Sequence, residues 1–185
     1  MIKFITSNEH KFQEISRKLE NSGFSIEWIK LTYEEIQADD TSEISADSAK
    51  KLSTRINDPF FLEDTGLYID SLNGFPGPYS SFVSKKIGNP GILKLLDGKD
   101  RTARFITVIT YCEDKKFYQF TGILEGNISK ETMGSGGFGF DPIFIPKGFD
   151  RTLSEISIDE KNSISHRTQA LNQLILFLSE RDDQK

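Results

Sequence analysis

Short apolar runs alternate with amphipathic stretches along this chain, and their order sets the fold class. Ile2 to Thr6 reads as a short buried strand. Behind it Phe12, Ile15 and Leu19 recur at spacings of three and four. That is a helical face, which Ser7 or Asn8 can cap and Gly23 can end. Ser25 to Leu31, with Ile26, Trp28 and Ile29, predicts a second strand. Ile44 to Ile56 predicts a second helix, broken by Asp58-Pro59. Phe60-Phe61-Leu62 predicts a third, short strand that ends at Glu63-Asp64-Thr65-Gly66. Strand, helix and strand in this order predict an α/β fold.

The pattern then changes. Gly74-Phe75-Pro76-Gly77-Pro78 predicts a rigid turn, and Ile87 to Leu96 a helix. Ala103 to Tyr111 and Phe117 to Ile128 predict two long strands, joined through Glu113-Asp114-Lys115 as an antiparallel hairpin. Gly134 to Gly139 is glycine-rich, and Ile143 to Ile145 predicts a last short strand. Ser163 to Leu178 predicts a closing helix with Leu171, Leu174, Ile175 and Leu178 inward, followed by a polar tail from Arg181 to Lys185. No repeat or composition shift marks a boundary, so residues 1–185 are expected to form one domain.

Composition narrows the partners. The net charge of −5 argues against broad nucleic-acid binding, which needs a basic surface, yet leaves room for a small phosphorylated ligand held by local cations and a metal. Cys112 is the single cysteine and lies in a strand pattern, where a buried apolar role is expected. Met1-Ile2-Lys3-Phe4 leads straight into the first strand, and no apolar run reaches the ~18–20 residues of a membrane span. A cytoplasmic location is the expectation.

Four segments carry candidate chemistry. Thr6-Ser7-Asn8-Glu9-His10-Lys11 lies where a strand meets a helix, and backbone N–H groups with the helix dipole favour an anion there. Lys11, one turn in, can reach the same anion; as a plain cap the segment would need no ligand. Glu63-Asp64-Thr65-Gly66 puts two carboxylates at the end of a buried strand, where open α/β sheets place ligands. Magnesium takes one or two carboxylates together with phosphate oxygens and waters. Gly134-Ser135-Gly136-Gly137-Phe138-Gly139-Phe140-Asp141 combines glycines that let backbone approach a ligand with two aromatics that can stack on a base. Lys161-Asn162-Ser163-Ile164-Ser165-His166-Arg167 concentrates donors around one helix start. The acidic run Glu34, Glu35, Asp39, Asp40 and Glu43 reads first as a solvated face.

In this order the segments resemble the inosine triphosphate pyrophosphatase family, over essentially the whole chain. Thr6-Ser7-Asn8 with Lys11 is similar to its T-G-N-x-x-K, with Ser7 where the family has glycine. Glu63-Asp64-Thr65-Gly66-Leu67 is similar to its acidic turn, and Gly74-Phe75-Pro76-Gly77-Pro78-Tyr79-Ser80 to its proline-glycine segment. Gly137-Phe138-Gly139-Phe140-Asp141-Pro142-Ile143-Phe144 and Ser165-His166-Arg167 complete the set. The resemblance implies an α/β fold with a mixed central sheet flanked by helices, in an elongated molecule with a cleft between two lobes, usually dimeric. It implies Mg²⁺-dependent cleavage of deaminated purine nucleoside triphosphates to monophosphate and pyrophosphate. Asp64 and Lys11 are the implied catalytic pair, with Asp64 and Asp39 as metal ligands; Glu35 and Asp40 are the other candidates for the second position. Thr6, Ser7, Asn8, Lys11, Thr65 and Gly66 are implied around the phosphates. Phe138, Gly139, Phe140, Asp141, Lys161, Ser165, His166 and Arg167 are implied around the sugar and base. The rivals are a septum-inhibitor-like nucleotide pyrophosphatase and a nucleotide sensor without turnover.

Overall fold

The computed structural model describes residues 1–182 and is a mixed α/β structure. One seven-stranded sheet has the order β2-β1-β3-β5-β6-β7, with β4 paired to β3. The strands are β1 (Ile2–Ile5), β2 (Ile26–Ile29), β3 (Phe60–Ile69), β4 (Pro76–Gly77), β5 (Thr102–Glu113), β6 (Lys116–Ile128) and β7 (Phe144–Pro146). The helices are α1 (Glu9–Asn21), α2 (Thr41–Leu52), α3 (Ser80–Lys86), α4 (Gly88–Leu95), α5 (Ile158–Ile164) and α6 (His166–Asp182). β1 runs parallel to both β2 and β3, whereas β3–β4 and β6–β7 are antiparallel, so the sheet is mixed as expected. Residues 183–185 of the anticipated polar tail lie outside the described residues.

The chain divides into two compact units. One comprises Met1–Asp64, Thr107–Gly122 and the chain from Arg167 onward; the other comprises Thr65–Ile106 and Ile123–His166. Each has its own core. In the first, Phe4, Phe61, Ile109 and Tyr111 meet Ile15 and Leu19 of α1 and Ala170, Leu171, Leu174 and Leu178 of α6. Phe4 and Phe61 stack with centroids 4.5 Å apart. Ile5, Phe60, Leu62 and Cys112 meet Ala49 and Leu52 of α2 in a separate cluster. Strand residues of odd and even number therefore face different helices, as the two-residue period of a strand requires. Each fully buried Phe or Leu contributes about 1.5–3 kcal/mol. In the second unit Leu67, Ile69, Phe105, Phe140, Ile143 and Phe144 form the core with Ile92 and Leu96.

Local chemistry explains the boundaries. Asn8 caps α1, its side chain accepting from the His10 and Lys11 amides. The helix ends with Gly23 at φ 85°, the Gly23 amide donating to Glu20 and the Phe24 amide to Leu19. This is the paired closure that a left-handed residue after a helix permits. Asp40 caps α2 by accepting from the Ser42 amide at 2.7 Å, so part of the acidic run is helix-capping. The β5–β6 connection is the two-residue turn Asp114-Lys115, both at positive φ, which suits the twist of an antiparallel hairpin.

Three expectations change. β3 does not stop at Leu62 but continues through Ile69. Gly66 makes no turn there; a Cβ on it would lie 2.7 Å from the Gly77 carbonyl oxygen and 2.8 Å from the Tyr68 ring. The glycine serves the close approach of β4, and the Leu67 amide donates to Ser80 Oγ at 2.8 Å. Residues 80–86 form α3 ahead of the expected helix, separated by Ile87 from α4, which opens on Gly88 at φ 61°. The closing helix is broken at Ser165, whose ψ of 149° is extended, giving α5 and α6.

Candidate functional site

The continuation of β3 decides how its two carboxylates are used. Glu63 and Asp64 are adjacent on one strand, so their side chains leave on opposite faces. Glu63 shares the side of Phe61 and meets α1 and α6. Its Oε2 pairs with Lys11 Nζ at 2.6 Å, and its Oε1 accepts from Arg167 Nε at 3.2 Å and Thr107 Oγ1 at 3.3 Å. Lys11 Nζ also donates to the Glu63 carbonyl at 3.1 Å, and Arg167 Nη1 donates to Glu14 at 2.6 Å. The Glu63 side chain is fully buried, and Arg167 is buried with it.

Asp64 takes the other face, toward α2. Ser45 of α2 is near enough to favour its charged form, while its Oδ2 is buried and has no hydrogen-bond partner among the described residues. Burial pushes the carboxyl up to about 7 against the pull of Lys11, and the charges of Glu35 and Glu63 push the same way. The Tyr33 phenol, near Asp64, Glu35 and Glu63, is pushed up for the same reasons, burial first. An orphaned carboxylate oxygen amid acidic neighbours is the local chemistry that a divalent cation relieves. Among the described residues no three His, Cys, Asp or Glu side chains form a ready-made metal cage. Magnesium needs no such cage when substrate phosphates and waters complete its shell, so Asp64 fits it. Of the acidic run, Glu35 is the member whose charge acts on Asp64, and Asp40 is occupied as the α2 cap.

At the β1–α1 junction Thr6 is buried, its Oγ1 accepting from the Asn8 amide at 3.1 Å and its carbonyl from Trp28 Nε1 at 2.8 Å. Ser7 and His10 are exposed. The junction is thus an ordered helix start, with Asn8 Oδ1 spent on the cap.

In the second unit Asp141 organises the glycine-rich loop. Its Oδ2 accepts from the Phe138 amide at 2.9 Å and pairs with Lys161 Nζ at 2.7 Å, both side chains buried. Gly137, at φ 70°, makes room for this: a Cβ there would sit 2.1 Å from Asp141 Oδ2. Lys161 Nζ lies 5.0 Å from the centre of the half-buried Phe138 ring. Phe140 packs in the core, so Phe138 is the more accessible aromatic of the pair, and Gly139 is exposed. Ser165 caps the end of α5, and His166 is buried against Phe105 with ring centroids 4.7 Å apart. Thr65 is half-buried on β3 next to Gly66.

The structure therefore brings Lys11, Arg167 and Glu63 together, and separately Asp141, Lys161 and Phe138. Reading the sequence missed Glu63 as the anchor of two cations, Glu14 as the second anchor of Arg167, and Ser45 as a neighbour of Asp64. A signal for the last existed. Thr41, Ser45 and Ser48 recur at helical spacing on the buried face of α2, a stripe of hydroxyls where an apolar face is the norm.

A sequence profile of the Ham1 family matches residues 2–177. The dITP/XTP pyrophosphatase of Thermococcus kodakarensis is 50% identical over 178 residues, covering 96% of this chain and 96% of its own length. The Pyrococcus horikoshii protein of the same name is 46% identical over 176 residues, covering 95% of each. A HAM1 protein structure from Coxiella burnetii superposes with a TM-score of 0.85 at 31% identity, over 97% of this chain and 100% of that one.

Proposed function

Because the chain belongs to the Ham1 family, we infer that it hydrolyses deaminated purine nucleoside triphosphates such as dITP, ITP and XTP. The products are the nucleoside monophosphate and pyrophosphate. Relatives that carry the name dITP/XTP pyrophosphatase and align along nearly the whole chain support the substrate class. The observation that carries the chemistry is Asp64, a carboxylate with one orphaned oxygen and an ionisation pushed up to about 7.

Triphosphate hydrolysis is mainly a problem of positioning and charge. Mg²⁺, when bound, supplies positive charge to the phosphate oxygens and the leaving pyrophosphate. Asp64 would hold it together with an acid of the preceding loop. Glu35 is the acid whose charge reaches Asp64, and Asp39 is the one that the family pattern favours. As a carboxylate Asp64 also accepts a hydrogen bond from the attacking water, orienting it toward the α-phosphorus. Lys11 and the α1 start at Thr6, Ser7 and Asn8, with Thr65 and Gly66, carry the phosphates. Lys11 reaches this role from its contact with Glu63, which fixes where its ammonium stands.

Phe138, Gly139, Phe140, Asp141, Lys161, Ser165, His166 and Arg167 serve the sugar and base. N–H donors directed at position 6 donate to the oxygen of hypoxanthine or xanthine and oppose the amino group of adenine, and a donor near position 2 tolerates hydrogen, pairs with the oxygen of xanthine and opposes the amino group of guanine, at about 1–3 kcal/mol per unpaired group. The chain acts as one catalytic domain, as a homodimer in the cytoplasm, with no nucleic-acid partner at a net charge of −5. No helix among the described residues is long and apolar enough to cross a membrane.

Phosphorus NMR of digests with Mg²⁺ and dITP, XTP, dATP or dGTP tests the reading. Monophosphate and pyrophosphate are expected from dITP and XTP, with dATP and dGTP slow. Early appearance of dIDP and orthophosphate, or equal cleavage of all four, would overturn it.

A further inference from the structure

The glycine-rich loop of the second unit lies against a turn that is closed on itself. Thr152-Leu153-Ser154-Glu155 has the T-x-x-E spacing of a capping box, and here it closes a turn ahead of α5. The Glu155 amide donates to the Thr152 carbonyl at 3.0 Å, and the Thr152 amide donates back to Glu155 Oε2 at 2.8 Å. Leu153 fixes the turn to the fold. Its side chain lies in the core, and its amide donates to the Phe144 carbonyl of β7 at 2.9 Å. Two hydroxyls of the turn reach the loop. Thr152 Oγ1 lies 3.0 Å from the Met133 carbonyl and 3.0 Å from Glu155 Oε2, so its one proton is shared between two acceptors. Ser154 Oγ donates to the Gly136 carbonyl, and the Gly136 amide donates in return to the Ser154 carbonyl at 3.3 Å. Gly134, at φ 79°, is pressed against the same residue: a Cβ on it would sit 2.7 Å from the Ser154 carbonyl carbon and 2.8 Å from the Ser154 Cβ.

We propose that Thr152 and Ser154 are positioning residues for recognition of the base, a clasp that holds the glycine-rich loop in the conformation that presents Phe138. The physical reason is entropic. Glycine loses more conformational freedom on ordering than any other residue, and four of them stand between positions 134 and 139. Gly134 to Gly137 are exposed, so burial does not hold the loop. Hydrogen bonds at fixed points do: Met133 and Gly136 are tied to the turn, and Phe138 to Asp141. With the first two ties cut, a base that binds must first order the loop, and affinity falls by that ordering cost. The loss appears in binding and not in the bond-breaking step. The inference rests on the role proposed above for Phe138.

Five variants test it: Ser154→Ala, Thr152→Val, Thr152→Ser, Gly134→Ala and Gly148→Ala. Each is assayed with Mg²⁺ and dITP, and with inorganic triphosphate, which has no base, as a competing ligand. Ser154→Ala is expected to raise KM for dITP about fivefold, with kcat and the inhibition constant of triphosphate within about twofold of wild type. Thr152→Val keeps the side-chain shape without the hydroxyl and should also raise KM about fivefold, whereas Thr152→Ser keeps the hydroxyl and should stay within about twofold. Gly134→Ala pushes the loop off Ser154 and should raise KM about tenfold. Gly148→Ala is the control: it shares the left-handed backbone, at φ 86°, but its Cβ would have nothing within 4 Å, and KM should stay within about twofold. Amide exchange of the ligand-free protein reads the loop without substrate, and the Phe138 amide should exchange about fivefold faster in Ser154→Ala. Equal rises in KM for Thr152→Val and Thr152→Ser would assign the effect to packing and overturn the clasp. So would a parallel rise in KM for dITP and in the triphosphate inhibition constant, or unchanged Phe138 exchange in Ser154→Ala. Should wild type fail to cleave dITP, the proposed function falls, and Phe138 exchange alone then decides the clasp.

Discussion

Glu63 and Asp64 are neighbours on β3 with the same functional group, and the protein treats them in opposite ways. Glu63 turns to α1 and α6, where Lys11, Arg167 and Thr107 surround its carboxylate. Asp64 turns to α2, and its Oδ2 has no hydrogen-bond partner among the described residues. A buried carboxylate supplied with cations is a structural anchor, because removing it would strand the charges it holds. A buried carboxylate short of donors is costly to keep, and that cost is the usual mark of a site arranged for a ligand or a reaction. The two-residue period of the strand is what separates the roles. A shift of one position in the register of β3 would exchange them.

The largest expected effect comes from the anchor. Glu63→Gln leaves Lys11 and the buried Arg167 without their shared counter-ion and should lower folding stability by about 3 kcal/mol, read from urea unfolding. A loss below about 1 kcal/mol would place these pairs with ordinary surface ion pairs and erase the contrast. Asp64→Asn should do the reverse. Turnover of dITP is expected to fall at least ~100-fold, about 3 kcal/mol in barrier terms, while the fold survives. Near-normal turnover at saturating Mg²⁺ would remove Asp64 from the reaction.

The same substitution carries a pH signature. In the unfolded chain Asp64 ionises near its ordinary value of 3.8, in the folded chain near about 7. Between those values the folded form holds a proton that the unfolded form has lost, so stability falls as pH rises through this window. The stability difference between wild type and Asp64→Asn, measured without metal, should therefore shift in favour of Asn from about pH 4 to about pH 7 and stay level above. A flat difference across that range would show that the carboxylate ionises normally in the folded chain.

How much of this was legible beforehand depended on the kind of signal. The hairpin, α1 with its cap and Gly23 closure, and the opening α/β order all follow from local periodicity and turn chemistry. β3 was read too short because Glu63-Asp64-Thr65-Gly66 is polar and ends in glycine, a local pattern that predicts a turn. What keeps it extended is pairing with β4, a tertiary contact that the glycine makes possible. The break at Ser165 is likewise invisible to periodicity, since neither proline nor glycine marks it. Asp64 stood out by its place after a buried strand. The hydroxyl stripe Thr41, Ser45 and Ser48 was legible as a pattern along α2, but that Ser45 comes near Asp64, 19 positions on, depends on the fold. Arg167 was conspicuous as a donor, but that its guanidinium faces Glu63 and Glu14 depends on α1, β3 and α6 meeting.

The smallest expected effects sharpen the Asp64 side of the comparison, by sorting the acids of the loop before α2. Asp40 accepts from the Ser42 amide at 2.7 Å and caps the helix. Asp40→Ala should cost about 1 kcal/mol of stability and leave the Mg²⁺ requirement unchanged. Glu35 acts on Asp64 through its charge, so Glu35→Gln removes a carboxylate from the neighbourhood of the orphaned oxygen. The Mg²⁺ concentration for half-maximal turnover should rise about tenfold, equivalent to about 1.4 kcal/mol. Asp39→Asn is the control that the family pattern demands, and a smaller rise is expected from it. The two substitutions remove the same charge from the same loop, so general electrostatics cannot separate them. Only direct coordination can. A tenfold shift in Asp39→Asn with none in Glu35→Gln would make Asp39 the second ligand and leave Glu35 as a bystander whose field reaches Asp64 without sharing its metal.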